Sequence, residues 1–190
     1  MKDVSLGTYA IQIGLVLRDS IFLSKMLLNS EVWHSLTKLQ IQEIEVLDKI
    51  LLRHTLNAHS KTGIEWLYAD TGRYNLKSLI QVRRMMYLWH ILSRDKSELI
   101  HRVYDTQKND NSIGDWVRLV EQDKNELGIS MTDQEIQGVS KEVFKTFVHK
   151  KVKINHLEYL NNLKKKHSKS THLDCNDLKM AEYLMDSNSN

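Results

Sequence analysis

Anion binding is the chemistry for which this chain carries the most residues. Residues 141 to 169 hold nine lysines against Glu142 and Glu158, a local charge of +7 in a chain of net charge +3, so the remainder sums to −4. Lys145, Lys150, Lys151 and Lys153, with Lys164, Lys165 and Lys166 beyond them, make a basic helix face that attracts phosphates within a Debye length of about 8 Å. Arg83 and Arg84 stand in an otherwise apolar stretch and offer forked guanidinium donors, which hold phosphate oxygens through paired charge-assisted hydrogen bonds. Two plainer roles compete with these. A lysine-rich face also keeps a helix solvated, and the arginine pair could instead neutralise Glu65 or Asp70 at the rim of a core. Phe144, Phe147 and Tyr159 fall within the basic stretch, but Phe147 sits on its apolar stripe and is assigned to the core rather than to base stacking.

Other chemistries lack their residues. His167, His172 and Cys175 are close in sequence, yet zinc takes four ligands, or three and a water, and no Cys-x-x-Cys pair accompanies them. That segment reads as a polar linker, and no metal or cofactor is expected. Asp174 and Asp177 near Cys175 raise a thiol's pKa, which leaves it an ordinary thiol. No glycine-rich phosphate loop, H-E-x-x-H pair or G-x-S-x-G elbow occurs. No catalytic residue is assigned.

The elements that must position these groups are helical. In 190 residues there is no proline and there are seven glycines, too few for many tight hairpins, while 41% hydrophobic residues support a sizeable core. The fold class expected is all-α, a bundle of about seven to nine helices with no β-sheet. One cysteine excludes an internal disulfide framework and fits a reducing, intracellular setting, cytoplasm or nucleus. Arg18, Asp19 and Lys25 interrupt the apolar N-terminal stretch, so no membrane segment is expected.

Residues 6 to 28 are crowded with apolar side chains and read as a mostly buried helix with Gly14 as a weak point. Thr37 and Gln40 have capping-box spacing before a helix from about residue 38, with Ile41, Ile44, Leu47, Ile50 and Leu51 inward. Glu43, Glu45, Asp48, Lys49 and Arg53 would then form its solvated face. A second box, Thr62 to Glu65, opens a short helix over Trp66, Leu67 and Tyr68 that ends near Gly72. Residues 75 to 93 are apolar around most of a helix and read as a central element. Residues 97 to 108 read as a helix with Leu99, Ile100, Val103 and Tyr104 inward. After a polar turn, Ser112 or Asp115 caps a helix over 115 to 127, with Trp116, Leu119 and Val120 inward, stopped by Gly128. Thr132 to Glu135 is a third capping box. Its helix runs to about residue 163 through Ile136, Val139, Val143, Phe147, Ile154, Leu157 and Leu160, with a break near Lys150-Lys151. The rest is a linker, a short helix over Leu178 to Leu184 and a frayed tail.

The order of short motifs carries a resemblance. Ser30-Glu31-Val32-Trp33, a helix with glutamate near its middle, Leu51-Leu52-Arg53, Asn57-Ala58-His59-Ser60-Lys61-Thr62, Glu65-Trp66-Leu67-Tyr68, Thr71-Gly72, Arg83-Arg84-Met85-Met86-Tyr87-Leu88 and Ile91-Leu92-Ser93-Arg94-Asp95 follow one another. Over roughly residues 10 to 165 this resembles the thumb region, and the helices after it, of reverse transcriptases from non-LTR retrotransposons. One departure is Gly63, where the related sequences usually have proline. The resemblance implies a fragment of an RNA-directed DNA polymerase lacking the palm, non-catalytic by itself, with RNA or RNA–DNA duplex as partner through backbone contacts. It divides the chain into a thumb-like region (1–60), a central segment (61–111), C-terminal helices with the basic face (112–166) and a linker, short helix and tail (167–190). It also implies that residues 6–28 face missing polymerase domains or a second copy. Tyr68-Ala69-Asp70-Thr71 differs by one residue from the Tyr-Ala-Asp-Asp box of such enzymes, but that box needs two adjacent aspartates on a hairpin to hold two metals. Here the second position is threonine on an expected helix, so no polymerase centre is assigned. The alternatives are a helical protein–protein interaction module and a non-functional remnant open reading frame.

Overall fold

The computed structural model describes residues 4–33, 38–110 and 115–166. Its elements are α1 (Val4–Leu17), a π-turn (Arg18–Phe22) leading into α2 (Leu23–Met26), a 3₁₀ turn (Ser30–Val32), α3 (Lys38–Leu56), α4 (Ile64–Thr71), α5 (Leu76–Leu92), α6 (Leu99–Asn109), α7 (Asp115–Glu126), α8 (Asp133–Gln137) and α9 (Lys141–Lys166). With α1, the π-turn and α2 taken as one stretch these are eight helices, and no strand occurs among the described residues. The all-α expectation holds. The cap at Thr37, the caps at Ser112 or Asp115 and everything expected of residues 167–190 lie outside the described residues or their side chains.

The helices form two units that interleave along the chain. Within the described residues, one unit takes 4–28, 38–76 and 156–166, and the other takes 29–33, 77–110 and 115–155. Three of the four tryptophans, Trp33, Trp89 and Trp116, belong to the second unit, and Trp66 belongs to the first.

In the first unit, Leu15, Leu52, Leu67 and Tyr68 form the core, with Ile11, Leu56, Ala58 and Ile64 packed against it. Gly14 lies where α1 crosses α3, since a Cβ there would be 2.6 Å from Thr55 Cγ2. Only a hydrogen in place of the Cβ lets α1 approach α3 this closely. The expectation of a mostly buried N-terminal helix is corrected. Leu15, Leu23 and Leu27 are buried, but Tyr9, Ile13, Val16, Leu17, Ile21 and Leu28 are exposed.

The face of α3 is also corrected. Leu47 and Ile50 are about half exposed, whereas Asp48 and Leu52 are 0% exposed. The reason is Arg18, which the π-turn carries into the core at 1% exposure. A buried guanidinium requires a buried carboxylate, and this requirement outweighs a purely apolar stripe on α3. Arg18 Nε and Nη2 donate to the two Asp48 oxygens at 2.6 and 2.7 Å, and Tyr68 Oη donates to Asp48 at 2.7 Å. Burial works to lower the Arg18 pKa, but Asp48 more than offsets it and holds the group above its ordinary value. Burial first, and then the Asp48 charge, push the Tyr68 hydroxyl far above its ordinary range. Asp19 links Arg18 Nη1 at 2.8 Å to Arg73 Nε at 2.9 Å.

Helix α4 begins at Gly63, which has extended backbone and provides no side-chain cap, so Thr62 is not the cap expected of it. The Thr62 carbonyl instead accepts from Arg53. Gly72, at φ +63°, ends the helix as expected. Tyr68 to Thr71 are helical, and the Thr71 hydroxyl donates to the Leu67 carbonyl at 2.7 Å. In the C-terminal half of α9, His156 is 1% exposed, with the rings of Tyr74 and Tyr68 edge-on at 5.6 and 6.4 Å and Tyr159 at 6.2 Å.

In the second unit, α5 buries Ile80, Met85, Leu88, Ile91 and Leu92 together with Gln81 and Arg84. Helix α7 answers with Val117, Val120 and Asp123. Arg84 pairs with Asp123, where the sequence pointed to Glu65 or Asp70, and Gln81 Nε2 donates to Asp123 at 3.2 Å and to Glu126 at 2.8 Å. Helix α6 buries Tyr104 as expected, together with His101, while Leu99 and Val103, also expected inward, are exposed. The Tyr104 hydroxyl fixes that rotation by donating to Asp133 at 2.9 Å. Gly128, at φ +61°, follows α7 as expected.

The Thr132 capping box is present, with Glu135 N–H donating to Thr132 Oγ1 at 3.3 Å and Thr132 N–H to Glu135 Oε2 at 2.7 Å. Its helix is short, however, because Gly138 interrupts it and Ser140 starts α9 afresh, the Val143 N–H donating to Ser140 Oγ at 3.4 Å. The break expected near Lys150-Lys151 therefore falls at 138–140, and α9 continues without interruption to Lys166. Restarting changes the phase. The buried row is Phe144, Val148, Val152, His156 and Leu160, and Val143 and Ile154 face outward.

Candidate nucleic-acid interface

Helix α9 sets its cations by the same four-residue step that makes its buried row. Lys141, Lys145, His149 and Lys153 form the neighbouring row, about 100° around the helix from Phe144, Val148 and Val152. Lys141 and Lys145 are exposed, and His149 and Lys153 are half-buried. Burial first, then Lys145, push the His149 pKa below its ordinary value, so the ring is neutral at pH 7 and the charge of the row is lysine alone. Lys150 is exposed on a different row. Lys151 is structural: its Nζ donates to the Gly128 carbonyl at 2.8 Å and lies 5.7 Å from the centre of the Phe147 ring. Lys164, Lys165 and Lys166 continue the backbone of α9, and their side chains lie outside what is described.

The two arginines separate because consecutive helical residues diverge by about 100°. Arg84 is 8% exposed and committed to Asp123, with the Trp33 carbonyl 3.4 Å from Nη2. Burial pushes the Asp123 carboxyl up, and Arg84 and Gln81 oppose that shift. Arg83 instead lines a cleft of about 410 Å³.

That cleft was not read from the sequence. Its wall is the face of α5 that carries Val82, Met86 and Trp89 beside Arg83, Tyr87 and His90, and Glu31 and Lys141 complete it. Two indoles hold the flanking segments in place. Trp116 Nε1 donates to the Glu31 carbonyl at 2.7 Å, and Trp89 Nε1 donates to the Val139 carbonyl at 3.0 Å. The Tyr87 ring meets Trp116 edge-on at 5.7 Å and lies near-parallel to His90 at 6.1 Å and 19°. The signal in the sequence is the spacing of Arg83, Tyr87 and His90, at i, i+4 and i+7, on a helix that reads as apolar around most of its circumference. Lys141 was missed because the expected helix placed it mid-segment rather than at a helix start.

The structure therefore brings Arg83 together with Lys141, and Lys145 and Lys153 extend from Lys141 along one row. Arg84 and Lys151 serve the fold. No group of three or more His, Cys, Asp or Glu side chains is placed to hold a metal ion among the described residues. His167, His172 and Cys175 lie outside them. No helix of the described residues is long and apolar enough to cross a membrane. No protein-family model, curated protein or solved structure matches the chain.

Proposed function

We propose that this chain is a non-catalytic, thumb-like helical module of a retrotransposon reverse transcriptase type that binds the sugar-phosphate backbone of RNA or an RNA–DNA duplex. The observation that carries the reading is the cationic row of α9, Lys141, Lys145 and Lys153, running beside a buried row that keeps it rigid, with Arg83 lining the same cleft as Lys141. Lysine and arginine on a rigid helix suffice for contacts that follow charge and shape without reading sequence. The reading is intracellular, and it assigns no polymerase centre because the paired aspartates are not in the Tyr68-Ala69-Asp70-Thr71 segment.

Binding to a blunt RNA–DNA duplex, followed by fluorescence anisotropy across 50 to 200 mM salt, tests it. A non-specific dissociation constant of roughly 10⁻⁴ to 10⁻⁶ M is expected, and K145Q/K150Q/K153Q should weaken binding and flatten the log–log salt slope by about two to three units. Lys151 is left out of this set because its Nζ is tied to the Gly128 carbonyl. An unchanged affinity and slope would refute the reading.

A second reading, a helical interaction module, is favoured by the exposed apolar row Tyr9, Ile13, Val16, Leu17 and Ile21 on α1 and the π-turn. Exposed rows of this kind drive association. Concentration-dependent mass in light scattering, abolished by V16E/I21E, would support it, and a strictly monomeric protein would count against it.

A further inference from the structure

We propose that the cleft on α5 is a binding site for a single unpaired guanine nucleotide. The ligand class rests on the nucleic-acid reading above, and the cleft's own chemistry narrows it. The cleft is open to solvent, and its volume of about 410 Å³ lies within the range of small-molecule sites. Tyr87 and His90, near-parallel at 19°, offer flat surfaces of the kind on which bases stack, and Met86 adds a polarisable apolar contact. Arg83 and Lys141 supply the positive charge that a 5′-phosphate needs.

Glu31 sets the choice of base. A carboxylate in a cleft that takes phosphate at its cations would repel a second anion, and it accepts hydrogen bonds only. Guanine is the base that presents two adjacent donors, N1–H and the N2 amine, to one carboxylate. Adenine and cytosine each place a ring acceptor beside their amine, and uracil flanks its single N–H with two carbonyls. The Glu31 backbone is held by Trp116 through its carbonyl, so the side chain need not maintain the turn. The residues lining the cleft thus include two aromatic rings, two cations and one carboxylate, beside two indoles that hold the flanking backbone.

Calorimetric titration of the full chain with guanosine, adenosine, cytidine and uridine 5′-monophosphates and inorganic phosphate tests this. Guanosine monophosphate should bind about tenfold or more tightly than the other four, and Glu31→Gln should erase most of that preference. Glu31→Gln keeps the backbone acceptor for Trp116, and an unchanged circular dichroism spectrum and unfolding midpoint verify its fold. Tyr87→Leu should weaken all four nucleotides together and leave phosphate unaffected. Equal binding of guanosine and uridine monophosphates, no guanosine monophosphate binding at millimolar concentration, or a guanine preference that survives Glu31→Gln would overturn the proposal. The blunt-duplex assay reads the lysine row separately: duplex binding without guanine preference refutes the cleft assignment alone, and guanine preference without duplex binding refutes the backbone reading alone.

Discussion

Replacing Asp48 by asparagine is the sharpest test of how the first unit is held together. The amide keeps the size of the carboxylate but removes the charge that receives Arg18 at 2.6 and 2.7 Å and Tyr68 at 2.7 Å, at a site with 0% exposure. Of its two carboxylate partners Arg18 then retains Asp19, which is 38% exposed. Removing one partner of a buried ion pair costs about 3–5 kcal/mol, because the other charge stays buried without compensation. Tyr68→Phe removes a single donor while Asp48 keeps both guanidinium bonds, so the expected cost is smaller, about 1–2 kcal/mol. R18M/D48L/Y68F replaces the three buried polar members at roughly conserved volume, leaves the half-exposed Asp19–Arg73 pair, and should recover most of the Asp48→Asn loss, since apolar replacement of a buried ion pair is often neutral or stabilising. Urea unfolding of the four proteins by circular dichroism gives the comparison, with m-values checked for constancy. A loss below about 1 kcal/mol for Asp48→Asn, or a triple variant less stable than Asp48→Asn, would refute the argument that the charge sets the face of α3.

Burial holds the His156 pKa down to about 4 from an ordinary 6.5, against a weaker opposing pull from the Arg73 backbone. The unfolded chain therefore binds the extra proton first, and this contribution to stability is complete above about pH 6.5 and is lost as pH falls toward 4, a swing on the order of 3 kcal/mol. His156→Phe should remove most of the stability change between pH 7 and pH 5 in chemical denaturation, and an unchanged pH profile would contradict it. Gly14→Ala should destabilise by about 1–2 kcal/mol despite better helix propensity, because the new methyl meets Thr55. Adding Thr55→Ala should restore stability, and additive effects in the double-mutant cycle would show that the two do not meet. Thr132→Ala should cost about 1 kcal/mol by removing the capping box before α8, measured by thermal unfolding.

Helix positions were legible because punctuation was strong: Gly72 and Gly128 stop helices at positive φ, and Thr132 with Glu135 starts one. Helix faces were less legible, for two physical reasons. An apolar stripe predicts burial only when no charge must go inside: Arg18 with Asp48 turns the face of α3 away from the one assigned from hydrophobicity, whereas Asp123 joins Val117 and Val120 on the expected side of α7. Phase also depends on where a helix restarts, and the interruption at Gly138 moved the buried row of α9 from Val143 to Phe144. Of the candidate site, the lysines of α9 were readable from composition. The division of Arg83 from Arg84, the structural role of Lys151 and the cleft were not, because each depends on a partner far along the chain: Asp123 for Arg84, Gly128 for Lys151 and Trp116 for the Glu31 turn.

The uneven placement of tryptophan gives the protein a built-in optical label. With Trp66 replaced by phenylalanine, all remaining indole emission comes from Trp33, Trp89 and Trp116, so fluorescence follows one unit while far-ultraviolet dichroism follows the helices of both. Two superimposed melting curves would mean that the chain melts as one cooperative block, and two displaced curves would give each unit its own midpoint. No extrinsic dye is needed.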